Sequence, residues 1–373
     1  MSTEELLALP KLGFGMMRLP EKDGAINTER VGAMVDLFLE NGFTYFDTAY
    51  PYHNGKSEGA LKAALVDRYP RGRFTVADKM PGWLLKSRAD AERIFNEQLE
   101  RTGAGYFDFY LLHSVETGHL PAYDGAGCWD WALKMKQKGL IRHFGFSFHD
   151  SPELLDRLLT AHPQAEFVQL QINYLDWESE TVRSRRCYET ARRHGKPVVI
   201  MEPVKGGALA SLRPELEAKL RAVDPEKSPA SWALRFCATL PGVATVLSGM
   251  SSEEQVRDNI ATVKALAPFT PREKACLEEV RQGILSTPKI GCTACRYCVD
   301  GCPAGIRIPD VIRAYNEALA FGNGERPRGL YADALKKGHP ASACIGCGQC
   351  AGVCPQHLPV PDLMQKISAA FDR

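Results

Sequence analysis

The sequence lacks an excess of charge of either sign. Its 373 residues include 46 Lys and Arg against 45 Asp and Glu, which gives a formal net charge of +1 at pH 7. Proteins that bind nucleic acid or anionic membranes through charge carry a basic patch or a strongly positive balance. The composition therefore predicts neither nucleic acid nor a membrane surface as a partner.

Long apolar runs are also missing. The chain contains no run of about 18 apolar residues, the length that a membrane-spanning helix requires. Glu4 and Glu5 interrupt the first ten residues, which have no apolar segment typical of a secretory signal peptide. We therefore expect a globular protein of the cytoplasm, and the length predicts two domains.

A third missing feature is the glycine-rich turn of dinucleotide-binding sheets. That turn has the pattern Gly-x-Gly-x-x-Gly and leads from the first strand directly into a helix. Here the first apolar run reads LGFGMM at residues 12–17 and does not continue into a helical pattern. This argues against a doubly wound open sheet, the main structural alternative to a closed barrel.

The chain instead alternates short apolar runs with helical patterns. We predict eight strands, at residues 12–17, 43–47, 74–79, 107–113, 143–147, 167–172, 198–202 and 244–248. We predict helices between them at residues 28–40, 57–67, 87–101, 128–138, 151–161, 178–194, 228–239 and 252–266. Eight alternating units with strands too apolar to have a wet face predict an α/β fold, a (β/α)8 TIM barrel.

Polar residues stand where most of these strands end. In a barrel of this kind the chemistry lies at the C-terminal ends of the strands. The residues at those ends are Asp47, Lys79, His113, Ser147, Gln169 or Gln171, Glu202, Ser248 and Gly249. A lone buried Lys or His is costly without a partner, so the pattern predicts a site rather than a scaffold.

These residues suggest a proton donor built from a tyrosine. A phenol titrates near pH 10, and the pair Asp47–Lys79 next to Tyr52 would lower that value. His113 would orient a carbonyl oxygen or share the proton. Taken singly, each residue is better explained as part of a structural ion pair, a lining aromatic or a core histidine, but taken together they favour the proton donor. Tyr50 is a rival proton donor.

Several motifs together resemble the aldo-keto reductases over roughly residues 12–260. They are FDTAYPY at 46–52, NGKSE at 54–58, DK at 78–79, LLHS at 111–114 and GFS at 145–147, in family order. The resemblance implies a catalytic tetrad of Asp47, Tyr52, Lys79 and His113, with Tyr52 as general acid. It also implies that the protein reduces an aldehyde or ketone, or oxidises an alcohol, with a nicotinamide cofactor.

The same resemblance implies residues that hold the cofactor. Ser147 and Gln169 would bind the nicotinamide carboxamide. A loop would follow the pyrophosphate, and a second loop and helix would hold the adenosine end. The residues of the two loops and the helix are Met201, Glu202, Pro203, Val204, Lys205 and Gly206, then Ser248, Gly249, Met250, Ser251, Gln255, Asp258 and Asn259.

Three positions depart from the family pattern. The family often stacks an aromatic residue on the nicotinamide where this chain has Met201, and often meets the 2′-phosphate of NADP with Lys or Arg where it has Gly249 and Gln255. Recognition of that phosphate usually needs such a cation. Arg257 and Lys205 are nearby in sequence, so both NADP and NAD remain candidate cofactors.

The cysteines divide into two groups. Of the twelve, Cys128, Cys187, Cys237 and Cys276 are scattered and are expected to be small core residues. The other eight form two runs of Cys-x2-Cys-x2-Cys-x3-Cys-Pro, beginning at Cys292 and at Cys344. This is the bacterial [4Fe–4S] motif, in which the fourth cysteine of each run ligates the other cluster.

We therefore expect two [4Fe–4S] clusters in a reducing compartment. The predicted ligands are Cys292, Cys295, Cys298 and Cys354 for one cluster, and Cys344, Cys347, Cys350 and Cys302 for the other. Four-cysteine zinc sites are the alternative, but they fit three regularly spaced cysteines and a Cys-Pro poorly. Helical patterns at residues 309–321 and 332–337 make the segment resemble the α-helical ferredoxins.

The sequence thus predicts a barrel over residues 1–285 followed by a small, mainly α-helical ferredoxin-like domain over residues 286–373. The first hypothesis is an NAD(P)H-dependent oxidoreductase acting on a small carbonyl or alcohol, with clusters that pass electrons to or from a redox protein partner or serve a structural role. The second is an electron-transfer or interaction subunit whose barrel is a docking scaffold. For the substrate pocket, Trp83, Tyr123, Trp129 and Trp177 are candidate walls.

Overall fold

The computed structural model describes residues 3–372. Contacts between Cα atoms divide the chain into two compact units, one of Met1–Pro203 with Ala233–Pro268 and one of Val204–Trp232 with Phe269–Arg373. The predicted domain boundary after residue 285 stays a prediction. None of the helices within residues 3–372 is long and apolar enough to cross a membrane.

The first unit is built on a closed barrel of parallel strands. Its members are β1 (Leu12–Gly15), β4 (Tyr45–Asp47), β5 (Thr75–Pro81), β6 (Phe107–Val115), β7 (Ile141–Phe148), β8 (Phe167–Gln171), β9 (Val198–Met201) and β10 (Val243–Ser248). Strands β4 to β10 pair in sequence order, and β1 closes the barrel between β10 and β4. All eight predicted strands are confirmed, with ends shifted by only a few residues.

A short antiparallel hairpin of β2 (Glu21–Lys22) and β3 (Ala25–Ile26) follows β1 and was not predicted. The helices of this unit lie between the strands. They are α1 (Thr3–Leu7), α2 (Thr28–Glu40), α3 (Ser57–Leu61), α4 (Arg88–Thr102), α5 (Leu120–Gly125), α6 (Cys128–Gln137), α7 (Pro152–Ala161), α8 (Ser184–Arg193) and α11 (Glu253–Lys264). Most match the predicted helices closely, because their serine and asparagine caps are visible in the sequence.

The predicted helix at 178–194 is wrong in its first part. Helix α8 begins only at Ser184, because the Ser179 hydroxyl oxygen accepts bonds from the backbone N–H groups of Thr181 and Val182. Such a serine turn offers the backbone an alternative to the helix. Helix α5 falls in a segment that we expected to be a loop.

The second unit is helical. Its helices are α9 (Pro214–Val223), α12 (Pro271–Leu285), α13 (Tyr297–Asp300), α14 (Ile308–Phe321), α15 (Glu325–Leu335), α16 (Gln349–Gly352) and α17 (Val360–Phe371), and α10 (Pro229–Ala238) has residues in both units. A small core of Ile306, Ile312, Met364 and Ile367 lies between α14 and α17. The mainly helical character predicted for the C-terminal segment is confirmed.

Candidate active site and cysteine cavities

The four predicted catalytic residues lie at the C-terminal ends of three neighbouring strands. Asp47 is the last residue of β4, Lys79 lies near the end of β5, and His113 lies near the end of β6. Tyr52 begins the short helical turn Tyr52–Gly55 that follows β4. The parallel order β4–β5–β6 brings these ends side by side.

Lys79 is fully buried, and neighbouring groups compensate its charge. Its Nζ donates to Asp47 Oδ1 at 2.6 Å and to the Thr48 carbonyl oxygen at 2.7 Å. Burial acts to lower the pKa of Lys79, but the Asp47 carboxylate outweighs it and raises that pKa. The side chain is therefore an ammonium ion inside the barrel mouth.

Tyr52 lies against this ammonium. Lys79 Nζ is 4.9 Å from the centroid of the Tyr52 ring, and the His113 ring meets the same ring edge-on with centroids 6.0 Å apart. Burial raises the pKa of Tyr52, while the Lys79 charge acts to lower it. The expected net lowering is wrong, because desolvation of the phenolate outweighs the attraction of the ammonium.

His113 is held as a neutral imidazole. Burial, and then the nearby Lys79 charge, lower its pKa well below the ordinary range of histidine. Its Nδ1 is buried without a hydrogen-bond partner among the described residues. The ring of Trp83 packs 5.2 Å from the His113 ring, centroid to centroid. A neutral ring with a free nitrogen can accept or donate one hydrogen bond to a bound oxygen.

The rival tyrosine points elsewhere. The Tyr50 hydroxyl donates to Glu97 Oε2 at 2.8 Å and accepts from Arg101 at 3.2 Å, and the Arg101 guanidinium lies over the Tyr50 ring at 4.3 Å. Glu97 and Arg101 both belong to α4. Tyr50 is thus engaged with a helix on the outside of the barrel and not with Lys79.

The four candidate pocket walls differ in exposure. Trp83 is 42% exposed and packs against His113, as a substrate-facing side chain would. Tyr123 and Trp129 are buried, and the Tyr123 hydroxyl bonds to the backbone of Gly82 and Met80. Trp177 packs on the outer core of the barrel. Two of the four contact His113: Trp83 packs on its ring, and the Tyr123 hydroxyl donates to its backbone carbonyl oxygen at 2.5 Å.

Ser147 and Gln169 face each other across the β7–β8 register. Ser147 Oγ accepts from the backbone N–H of Ser114 at 2.7 Å, which leaves its hydroxyl proton available. Gln169 Nε2 donates to Met201 Sδ at 3.4 Å, and Gln169 Oε1 is buried without a donor. An orphaned buried carbonyl oxygen suits a ligand amide, such as the carboxamide of a nicotinamide.

Glu202 and Pro203 follow β9. Glu202 has a left-handed backbone with φ of 59°, and its carbonyl oxygen accepts from Asn173 Nδ2 at 3.2 Å. A non-glycine residue in that conformation is uncommon and is held here by its neighbours. Val204, Lys205 and Gly206 begin the second unit, where Lys205 and Gly206 also have positive φ values of 50° and 60°.

The candidate adenosine-binding residues surround the end of β10. Asn259 Nδ2 donates to Ser248 Oγ at 2.9 Å, so the first turns of α11 are tied to the strand end. The Gln255 side chain accepts from the Ser251 backbone N–H at 2.8 Å. Asp258 and Gly249 are partly exposed. The Met250 side chain is buried in the hydrophobic core.

Arg18 is a residue of this site that the sequence analysis missed. It follows β1, its guanidinium lies 3.7 Å from Glu202 Oε1, and its aliphatic stem lies against the Cα of Gly249. A Cβ at Gly249 would lie 3.3 Å from Arg18 Cγ and Cδ, a tight contact. The signal available in the sequence was only its position after a strand end, which we did not weigh.

The eight clustered cysteines line two cavities in the second unit. One is lined by Cys292, Cys295, Cys298 and Cys354. The other is lined by Cys302, Cys344, Cys347 and Cys350. Each cavity thus draws three cysteines from one sequence run and one from the other. The donor set fits iron–sulfur clusters, which thiolates hold.

Fold and site together define a (β/α)8-barrel oxidoreductase with an appended cysteine-rich helical region. The chain belongs to the aldo/keto reductase family, whose model matches residues 11–282. A second model, described as a 4Fe-4S dicluster domain, matches residues 291–358. The predicted family and two-part architecture are thereby confirmed.

Three similar proteins each match 70–73% of this chain. L-galactose dehydrogenase of Arabidopsis thaliana is 27% identical over 70% of this chain and 86% of its own. An aldo-keto reductase from Bacillus halodurans, solved in its holo form, is 26% identical, with a TM-score of 0.59 over 72% of this chain and 91% of its own. The fold also matches an aldo-keto reductase from Klebsiella pneumoniae solved with NADPH, at 21% identity and a TM-score of 0.59 over 73% and 91% of the two chains.

Proposed function

We propose that the protein reduces an aldehyde or ketone to an alcohol, or catalyses the reverse reaction, with Tyr52 as general acid. The observation that carries this proposal is the buried ammonium of Lys79, paired with Asp47 and lying 4.9 Å from the centroid of the Tyr52 ring. Burying the Lys79 ammonium costs desolvation energy, and its position beside Tyr52 is well suited to stabilise a phenolate.

The chemistry follows from these groups. When bound, a reduced nicotinamide would supply the hydride that adds to the carbonyl carbon. Tyr52, whose raised pKa keeps it protonated at neutral pH, donates its proton to the carbonyl oxygen. Lys79 stabilises the phenolate that remains, and neutral His113 orients the carbonyl oxygen by a hydrogen bond. In the reverse direction the phenolate takes the proton of the alcohol.

We propose that Ser147 and Gln169 hold the nicotinamide and that the loops after β9 and β10 hold the rest of the cofactor. The orphaned Gln169 Oε1 and the free hydroxyl proton of Ser147 support the first assignment. Arg18 is positioned between Glu202 and Gly249 and would add a cation for a phosphate group. Both NADP and NAD are candidates, since Gly249 and Gln255 offer no cation to a 2′-phosphate.

In the second unit we propose two [4Fe–4S] clusters with the ligands predicted from the sequence. The two four-cysteine cavities support the exchange of the fourth ligand between runs. A zinc ion would need its ligands about 2.3 Å from one point. Within residues 3–372 no group of three or more His, Cys, Asp or Glu side chains is arranged to hold a single ion.

Surface exposure around the cavities supports a role in electron transfer with a redox protein. Cys295 and Cys347 are exposed, and so are Tyr297 at 66% and Ile345 at 71%. Cluster edges near the surface can exchange electrons with a partner. The alternative function, an electron-transfer subunit whose barrel serves only for docking, is disfavoured by the complete tetrad. Cytoplasmic placement remains a prediction.

The deciding experiment replaces Tyr52 with Phe and uses Tyr50→Phe as the matched control. Loss of the proton donor should lower kcat for aldehyde reduction by at least about 100-fold, whereas Tyr50→Phe, which loses a hydrogen bond to Glu97, should keep most of the activity. Cluster absorbance should be the same in both variants. Turnover retained by Tyr52→Phe would overturn the assignment, and activity lost only in Tyr50→Phe would transfer it to that residue.

A further inference from the structure

Two carboxyl groups lie buried behind Lys79. Glu58 in α3 and Asp78 in β5 are both fully buried, and they are close enough for Asp78 to act on the pKa of Glu58 through a hydrogen bond if one of the two groups carries a proton. One oxygen of each, Glu58 Oε1 and Asp78 Oδ2, is buried without a donor. Two ionised carboxylates cannot bond to each other, because neither has a proton to donate. A single proton between these two oxygens would satisfy both.

The remaining oxygens show which group carries the proton. Asp78 Oδ1 accepts from the Lys79 backbone N–H and from Gln98 Nε2, both at 2.8 Å, while Glu58 Oε2 lies 3.1 Å from the Arg101 guanidinium. Burial and the charge of Glu58 raise the pKa of Asp78 well above its ordinary range. Burial raises the pKa of Glu58 as well, but Arg101 opposes that rise. The Arg101 guanidinium beside Glu58 therefore favours the charge on Glu58 and the proton on Asp78.

Asp78 of this pair and its partner Gln98 together hold the backbone of Lys79 on both sides of its Cα. The Lys79 N–H donates to Asp78, and the Lys79 carbonyl oxygen accepts from Gln98 Nε2 at 3.0 Å. Tyr110 donates to Gln98 Oε1 at 2.5 Å and holds the amide in that orientation. Strand β4 ends at Asp47, opposite Ala77, so it no longer pairs with β5 at Lys79. Side chains therefore satisfy the backbone groups of Lys79 that strand β4 no longer pairs with.

We propose that Glu58 and Asp78 share one proton, and that this buried pair positions the backbone of Lys79 and so the ammonium beneath Tyr52. The pair touches neither substrate nor cofactor, and its proton stays in place during turnover. The catalytic consequence rests on the proposed function, whereas the shared proton does not.

Infrared spectroscopy tests the proton directly. At pH 7.5 the wild-type protein should show the carbonyl stretch of a protonated carboxyl group, above the amide I band, and the band should shift in D2O. The band should disappear in Asp78→Asn and persist in Glu153→Gln, which alters a carboxyl exposed at the surface. Absence of the band in the wild type, or its persistence in Asp78→Asn, would overturn the shared proton.

Kinetics test the positioning role. Asp78→Ala removes the acceptor for the Lys79 N–H and should lower kcat about 10- to 100-fold with little change in KM, because a small displacement of Lys79 is costly. Asp78→Asn keeps that acceptor and offers an amide proton to Glu58, so it should restore kcat to within about threefold of the wild type.

Equal impairment of the Ala and Asn variants, or full activity of Asp78→Ala, would refute the positioning role. If Asp78→Ala fails to fold, the Asn variant decides alone: kcat more than about tenfold below the wild type contradicts positioning by an acceptor. Tyr52→Phe is run alongside. If Tyr52→Phe retained turnover, the proposed function would be wrong. The infrared result would still decide whether the carboxyl pair shares a proton.

Discussion

At the scale of single residues, the site depends on how Lys79 keeps its charge without water. Its side chain is fully buried, and an isolated buried ammonium would lose its proton readily. Asp47 prevents this by accepting one hydrogen bond, while the second oxygen of Asp47 has no donor among the described residues. Loss of the Asp47 carboxylate would therefore change the pKa of Lys79.

We predict that Asp47→Asn creates a pH dependence that the wild type lacks. Without the carboxylate, burial dominates and lowers the pKa of Lys79, so the ammonium is lost as pH rises through the lowered value. The ratio of variant to wild-type kcat for reduction should therefore fall from pH 6 to pH 9. A ratio that stays constant over this range would contradict the role assigned to Asp47.

At the scale of elements, Glu166 joins three of them at the opposite end of the barrel strands. It precedes β8, accepts from the His143 ring of β7 at 2.9 Å and from the Phe144 N–H at 3.1 Å, and pairs with Lys136 of α6. Burial acts to raise its pKa, but these donors prevail and lower the pKa of Glu166 to about 2. The carboxylate thus stabilises the folded barrel.

We predict that Glu166→Gln lowers the free energy of unfolding by about 3 kcal/mol at pH 7. Because the folded pKa lies below the unfolded value, the contribution is complete above about pH 5 and is lost as pH falls toward 2. Urea unfolding of the barrel, followed by tryptophan fluorescence at pH 7, 5 and 4, should show the deficit shrinking. The exposed pair of Glu153 and Arg186 provides the control: Glu153→Gln should cost less than about 1 kcal/mol.

At the scale of the whole molecule, an aldo/keto reductase barrel and a 4Fe-4S dicluster domain share one chain. Nicotinamide cofactors transfer hydrides, whereas iron–sulfur clusters transfer single electrons. The chain shows no motif for a flavin that would convert one into the other.

We predict that, if the clusters are coupled to the barrel, NADH or NADPH added separately under anaerobic conditions reduces them. Reduction would bleach the visible absorbance and produce the EPR signal of reduced clusters. Cys295→Ser should halve the iron content, whereas Cys128→Ser, which alters a buried core cysteine, should leave it unchanged. No bleaching, in protein that still consumes NAD(P)H with aldehydes, would indicate clusters that are structural or that serve a partner not present.

How much the sequence could predict differs between groups of residues. Cysteine spacing alone paired each run with the fourth cysteine of the other, and the cavities have the same composition. Asp47, Lys79 and His113 were accessible because strand ends are visible as the last residues of apolar runs, whereas the complete tetrad with Tyr52 was implied by the family resemblance. The roles of Arg18 and of the Glu58–Asp78 pair could not be predicted, because no spacing motif connects these residues across the elements that bring them together.

The sequence by itself determined the barrel, its strand ends and the cysteine runs, since these depend on local periodicity and spacing. Only the tertiary structure decided that Tyr52, and not Tyr50, faces Lys79, because five residues of chain after β4 turn two similar side chains in different directions. The tertiary structure also decided the pKa values of the site residues. The pKa of Tyr52 rises and that of His113 falls because desolvation depends on how the whole barrel mouth packs around them.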